Sequence, residues 1–226
     1  MTPPARLALP LLLLATPACR DAGVDLSEDV GSSDMRVVLT VNAGEGQTTV
    51  RAQASALLPN SGAVVLSAGD RFVLHDDPTR VLAAEPGGVT QVTTTPRNRG
   101  RIAVDLLRTG DRSLIDLGIE VPPPFTLEPV APRAPWSSPI TLRWDRTEGT
   151  YTTAIVVEGA CAKKLVRPLV SDTGEYLVNG GEIERLDPRS PCTVTVSVVR
   201  TAPYSGSREL YAQATQSRSV VVELLP

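Results

Sequence analysis

The chain carries one histidine, His75, and two carboxylates follow it directly, Asp76 and Asp77. An imidazole beside two acids offers donors for a metal ion or a base for proton transfer. Zinc sites, however, usually draw on several His or Cys ligands, and the chain has only three cysteines, Cys19, Cys161 and Cys192. A strand end running into the turn Asp76-Asp77-Pro78 accounts for the same residues. Glu182 and Glu184 stand two apart, so they share a face if residues 181–186 form a strand. At a suitable separation such a pair performs glycoside chemistry; a hydrated edge strand uses the same charges to deter pairing. The densest basic cluster is Arg97, Arg99 and Arg101, at a turn between two strands. It suits contact with an anionic partner or a plain hydrated hairpin tip. Lys163, Lys164 and Arg167 form a weaker cluster beside Cys161. Trp136, among prolines, either packs at a domain junction or offers a sugar platform.

Nucleophile chemistry has little to work with. There is no Gly-x-Ser-x-Gly elbow, no Gly-x-x-x-x-Gly-Lys phosphate loop and no Gly-x-Gly-x-x-Gly fingerprint. A catalytic triad could use only His75, and no serine stands out as its partner. The formal charge of −3 lacks the strong basic excess of a nucleic-acid binder. The expectation is a non-enzyme with no cofactor and no metal. The competing reading is a surface metal-dependent enzyme or binding module centred on His75, Asp76 and Asp77.

The elements that must position these residues are strands. From Met35 onward apolar and polar residues alternate with period two, the mark of strands buried on one side. Thr48, Val50, Ala52 and Ala54 share a face. So do Ile102, Val104 and Leu106, with Asp105 opposite, and Ile115, Leu117, Ile119 and Val121, with Asp116, Gly118 and Glu120 opposite. Residues 37–41, 63–66, 71–75 and 89–95 are further candidates. Turn signals lie between them, among them Asn42-Ala43-Gly44, Pro59-Asn60-Ser61-Gly62 and Asn98-Arg99-Gly100. Strands at this spacing predict a β-sandwich. Pro122, Pro123 and Pro124, with Pro129, Pro132 and Pro135 behind them, cannot donate to a sheet ladder and predict a stiff connection.

The second half repeats the pattern. Ile140, Leu142 and Trp144 face inward; so do Cys192, Val194, Val196 and Val198. Asn179-Gly180-Gly181 signals a tight turn. Trp144, together with Leu186-Asp187-Pro188-Arg189-Ser190-Pro191-Cys192, resembles the core tryptophan and the Leu-x-Pro-x-Thr-x-Tyr approach to the sixth strand of fibronectin type III domains. In this chain Ser190 stands for the threonine and Cys192 for the tyrosine. The resemblance covers about residues 124–226. The fold expected is all-β, with two immunoglobulin-like antiparallel β-sandwich domains in tandem, at 35–122 and 123–226.

The N-terminus sets the address. Arg6, the apolar run from Leu7 to Ala15 and the small residue Ala18 form the pattern of a secretory signal peptide, expected over 1–18. Ala15, Ala18 and Cys19 resemble a bacterial lipoprotein signal, in which the cysteine is lipidated and becomes the new terminus. The tail, from Cys192 to Arg200 and from Ala212 to Val220, resembles uncharacterised lipoproteins of myxobacterial type. The resemblance implies lipidation at Cys19 and a membrane held through that lipid, in the cell envelope and at the outer membrane. Arg20 to Asp34, acidic and without a period, predicts a flexible tether. A calcium loop would use the same acids but needs a closing Glu and regular spacing that they lack. With Cys19 lipidated, Cys161 and Cys192 remain as an even pair in an oxidising compartment, where they are expected to join. The expected partner is an envelope protein or a glycan.

Overall fold

The computed structural model describes residues 25–57, 63–85, 88–94, 100–187 and 189–226. The chain is all-β, and the strands described form three sheets of twelve, four and two strands. The alternation read from the sequence is the reason. In Met35–Ala43, residues Met35, Val37, Leu39, Val41 and Ala43 are buried and the residues between them are not. This strand pairs antiparallel with Thr48–Ala56 through a turn in which the Gly44 N–H donates to Gln47 O at 2.8 Å. Gly46 completes the turn at φ +75°, a conformation that side chains with a Cβ disfavour.

Two hydrophobic cores result. In the first, the large sheet packs on the four-stranded sheet of Arg71–Leu74, Asp77–Val81, Arg101–Leu107 and Leu114–Glu120. Leu39, Val50, Phe72, Val104 and Leu106 lie at its centre. In the second, Thr152–Gly159, Ala162–Pro168, Cys192–Thr201 and the end of the last strand face the pair Ile140–Arg143 and Glu175–Val178. Leu142, Ile155, Val194 and Val196 fill it. Val121 belongs to the first core and Phe125 to the second, so the chain crosses between them through the proline triplet.

The two sandwiches are joined more closely than a tandem implies. The sixteen-residue strand Leu210–Leu225 serves both. Its residues 210–216 run parallel to 37–43, and its residues 215–224 run antiparallel to 192–201. Leu210, Ala212 and Ala214 enter the first core; Val222 and Leu224 enter the second. The first core therefore draws on residues from both halves of the chain.

Three expectations need correction. The tether predicted over Arg20–Asp34 is part of the folded body from Asp25 on. Asp25–Leu26 pairs parallel with Val64–Val65, and two short 3-10 turns follow. The cause is Arg108, whose side chain is 3% exposed. It donates to Asp70 Oδ2 at 3.1 Å, to Ser32 Oγ at 2.7 Å and to the Ser27 carbonyl, fastening the segment down. Second, Ile115 does not join Leu117 and Ile119 on the buried face. A register shift between Leu114 and Leu117 buries Leu114 instead and leaves Ile115 exposed. Third, residues 181–186 are not a strand. Glu182 caps the turn by accepting from Asn179 N at 2.7 Å, and only Arg185 bridges to a neighbour, Ala162.

Cys161 and Cys192 are disulfide-bonded, with Cα atoms 5.7 Å apart. The bond ties the hairpin at 159–162 to the start of the central strand. At the border of the same core, Arg200 is fully buried. Its guanidinium meets Asp172 Oδ2 at 2.8–2.9 Å, donates to the Asp145 carbonyl and stacks 4.3 Å from the centre of the Phe125 ring. The other Asp172 oxygen accepts from Trp144 Nε1 at 2.7 Å. One carboxylate thus neutralises the cation and orients the core tryptophan. Removing it leaves a buried charge without a partner. Asp172→Ala is expected to cost about 3–5 kcal/mol in urea unfolding. Adding Arg200→Met to that variant should restore much of the loss, a non-additivity that a double-mutant cycle measures.

Candidate functional site

The candidate site begins at the bulge in Leu114–Glu120. Asp116 sits at φ +59°, an unusual conformation for a residue other than glycine and one that concentrates at functional sites. The bulge turns its N–H onto Asp105 Oδ1 at 2.8 Å. The same oxygen meets His75 Nδ1 at 2.7 Å. His75 is placed by its own N–H, which donates to Ala103 O at 3.0 Å just beyond the Arg71–Leu74 strand. Its Nε2 lies 3.8 Å from Asp116 Oδ1. Arg101 closes the group, donating to that oxygen at 2.6 Å and to the Asp116 carbonyl at 3.2 Å. Gly118 makes room for it: a Cβ there would lie 2.7 Å from the guanidinium carbon.

These residues stand on the outer face of the four-stranded sheet. Asp105, read from the sequence as the polar side of its strand, is 8% exposed because His75 and the bulge cover it. The hydrogen bond to Asp105 holds the His75 imidazole above its usual pKa, with Asp116 and Asp76 adding weaker attraction and burial opposing them. Arg101, by its hydrogen bond, holds the Asp116 carboxyl below the usual range. The arrangement orients an imidazole and can exchange a proton with it. Among the described residues no serine, threonine or cysteine hydrogen-bonds to His75.

A cavity of about 590 Å³ adjoins this group, and a second of about 350 Å³ sits beside it. The larger is a cleft where the first sandwich meets the second. Leu74 and Ile102 come from the four-stranded sheet, Val121 and Pro122–Pro124 from the crossing, and Tyr151, Gln216 and Arg218 from the second half. Its size falls within the roughly 300–1,000 Å³ of small-molecule sites.

The structure distributes the sequence candidates unevenly. Arg101 and Asp76 line both cavities, and Asp77 lines the larger. Asp77 is held by Thr79 Oγ1 at 2.6 Å and faces Arg80 at 3.5 Å. His75, Asp76 and Asp77 do not gather into a metal-holding group; among the described residues there is none. Arg97 and Arg99 lie outside the described residues, as does Cys19. The cluster beside Cys161 is neutralised: Lys163 pairs with Glu184, Lys164 with Glu158 at 2.5 Å and Arg167 with Glu182 at 3.5 Å. Glu182 and Glu184 therefore serve as counter-ions. Trp136 is not a sugar platform, since it is 5% exposed in the second core with Arg185 stacked 4.3 Å from its ring centre.

Sequence reasoning missed Arg200 and Gln216. The signal was parity. Arg200 continues the inward series Cys192, Val194, Val196, Val198, and Gln216 continues Leu210, Ala212, Ala214.

The class this geometry defines is an all-β protein of two mainly antiparallel sandwiches sharing a strand. No protein-family model matches the chain, and no curated protein matches it either. Among solved structures, it is similar to the FN1-FN3 domains of chicken CNTN1 at 9% identity. That likeness covers 84% of this chain and 68% of that one with a TM-score of 0.27. It is also similar to the human OSCAR ligand-binding domain at 17% identity, over 83% of this chain and 97% of that one, with a TM-score of 0.25. Scores this low carry no argument about function.

The His75 pair sets a pH signature. Because the folded pKa is raised, the stabilisation is complete below the unfolded value of about 6.5 and fades as pH rises through the folded value. Urea midpoints of the native protein and His75→Gln should differ most below the unfolded value of about 6.5 and converge as pH rises through the folded value. A difference that grows with pH contradicts the assignment.

Proposed function

We propose that the chain is a non-catalytic lipoprotein of the cell envelope. Lipid on Cys19 holds it to the outer membrane, on the periplasmic or surface side, and its β-sandwiches bind an envelope protein or a glycan. The cleft between the two cores carries the binding reading. It is concave, has apolar walls from three segments and gathers a few polar groups, the composition of a recognition site. The signal-like start and Cys19 support the address, and the disulfide suits an oxidising compartment.

Lipidation has a direct check. A lipoprotein cysteine carries more than one acyl chain, and two or more anchor stably. Cys19→Ala should move the folded protein from the membrane fraction to the soluble fraction, and the acyl mass should vanish from the N-terminal peptide. Membrane association that survives the substitution overturns the anchor.

A further inference from the structure

The inner face of the large sheet is mainly apolar in both cores, and one row departs from this across five strands. Thr153, Arg200, Gln216, Ala43 and Thr48 are cross-strand partners in succession, spanning five strands where the two cores meet. Four of the five are polar, and all are buried: Thr153 3%, Arg200 0%, Gln216 4% and Thr48 1% exposed. A row of Val or Leu would join the two cores into one. Instead, Gln216 and Thr48 form part of the lining of the 590 Å³ cleft. Neither the Gln216 amide nor the Thr48 hydroxyl has a hydrogen-bond partner among the described residues. Both polar groups open onto the cleft, where they are free to hydrogen-bond to what enters it.

The surroundings select the chemistry of that partner. Arg80, Arg101 and Arg218 face the cleft, and so do Asp76, Asp77 and Glu120. Three cations balance three anions, which disfavours a strongly charged ligand of either sign. Each position calls for a group that donates to a carboxylate or amide oxygen and accepts from a guanidinium or amide N–H. A sugar hydroxyl does both. Tyr151 and Pro122–Pro124 add apolar walls against which the C–H face of a pyranose can lie. A peptide strand is disfavoured for a definite reason. Bound peptides commonly add to a sheet edge, whereas Gln216 and Thr48 each sit between two paired strands, so their backbone groups are already used.

We infer that the junction cleft is a binding site for an uncharged oligosaccharide, with the Gln216 amide and the Thr48 hydroxyl as its buried hydrogen-bonding floor. This rests on the binding reading above and narrows its partner to a neutral glycan.

The test uses the full chain, in detergent where it is lipidated. Cellohexaose, maltohexaose and chitohexaose are the neutral probes; trigalacturonate is the anionic control. Titration by calorimetry is combined with NMR observation of the Gln216 side-chain amide. At least one neutral hexasaccharide should bind and shift that amide, and trigalacturonate should not. Gln216→Leu and the near-isosteric Thr48→Val should each weaken binding about tenfold with the thermal midpoint retained. The inference is overturned if no neutral probe moves the Gln216 amide, if both variants bind as the native chain does, or if the uronate is preferred. A photo-crosslinker at Tyr151, used in the native envelope, separates the two levels. A single protein adduct there, with no sugar binding, keeps the binding reading and removes the glycan; neither adduct nor sugar removes both.

Discussion

The fold depends on one strand that cannot be assigned to either sandwich. Leu210–Leu225 carries two registers at once, parallel to 37–43 and antiparallel to 192–201, overlapping at Thr215 and Gln216. A strand of ordinary length would finish one sheet and stop. This one continues, so each sheet continues into the other and the inner face passes from core to core without a linker. The small side chains Ala212 and Ala214 let the first core close over it, while Val222 and Leu224 give the second core bulk. Such a strand restricts hinge motion between the sandwiches, because bending at residue 216 would break ladder bonds on both of its sides.

That continuity explains the polar row at the junction. Where two apolar cores abut on one uninterrupted face, the default is fusion into a single core. Arg200 prevents it on one side. Its charge is neutralised by Asp172, which also holds Trp144, and its plane is covered by Phe125 just after the crossing. The second core is thus closed off by an ion pair at its border. On the other side of the same row Gln216 and Thr48 meet a cleft and no closed packing. The bulge at Asp116 works on the opposite sheet of the first sandwich. By aiming a carboxylate at Arg101 it holds one cation at the cleft rim and couples that cation to His75. The strained residue, the lone histidine and the cleft are therefore parts of one neighbourhood.

Much of this was legible in the sequence where a period was at work. Period-two alternation located most strands, and an even cysteine pair anticipated the disulfide. The misses share a cause. Alternation assigns each residue a face but does not say what covers that face, so Asp105 read as an outward polar residue although His75 and the bulge bury it. Ile115 was misread because a bulge inserts a residue and inverts the parity beyond it, with no local signal in Leu114-Ile115-Asp116-Leu117. The shared strand was invisible because pairing between residues 37–43 and 210–216 is non-local, and nothing in either segment names the other. Acidic composition suggested a tether up to Asp34, but a single distant arginine, Arg108, overrides composition by supplying the hydrogen bonds the segment lacks.

The Arg108 clasp changes what the proposed anchor implies. If the tether ran from Cys19 to Met35, the body could stand well away from the bilayer. Because Asp25 already pairs with Val64, only the stretch between Cys19 and Asp25 is left to span the distance. Six residues extend at most about 20 Å. A lipid at Cys19 would then keep the first sandwich within about that distance of the headgroups. Ser27 and Ser32 lie buried beneath Arg108. Arg108 is bound to Asp70 and Asp111, and the hydrogen bonds from Ser32 and Arg112 hold the Asp111 carboxyl down at about 2. Protonation of Asp111 therefore loosens this clasp only in strong acid. With an anchor at Cys19, a start fastened by Arg108 and two cores joined through one strand would restrict the height of the cleft above a bilayer, which would suit capture of a fixed component better than long-range search.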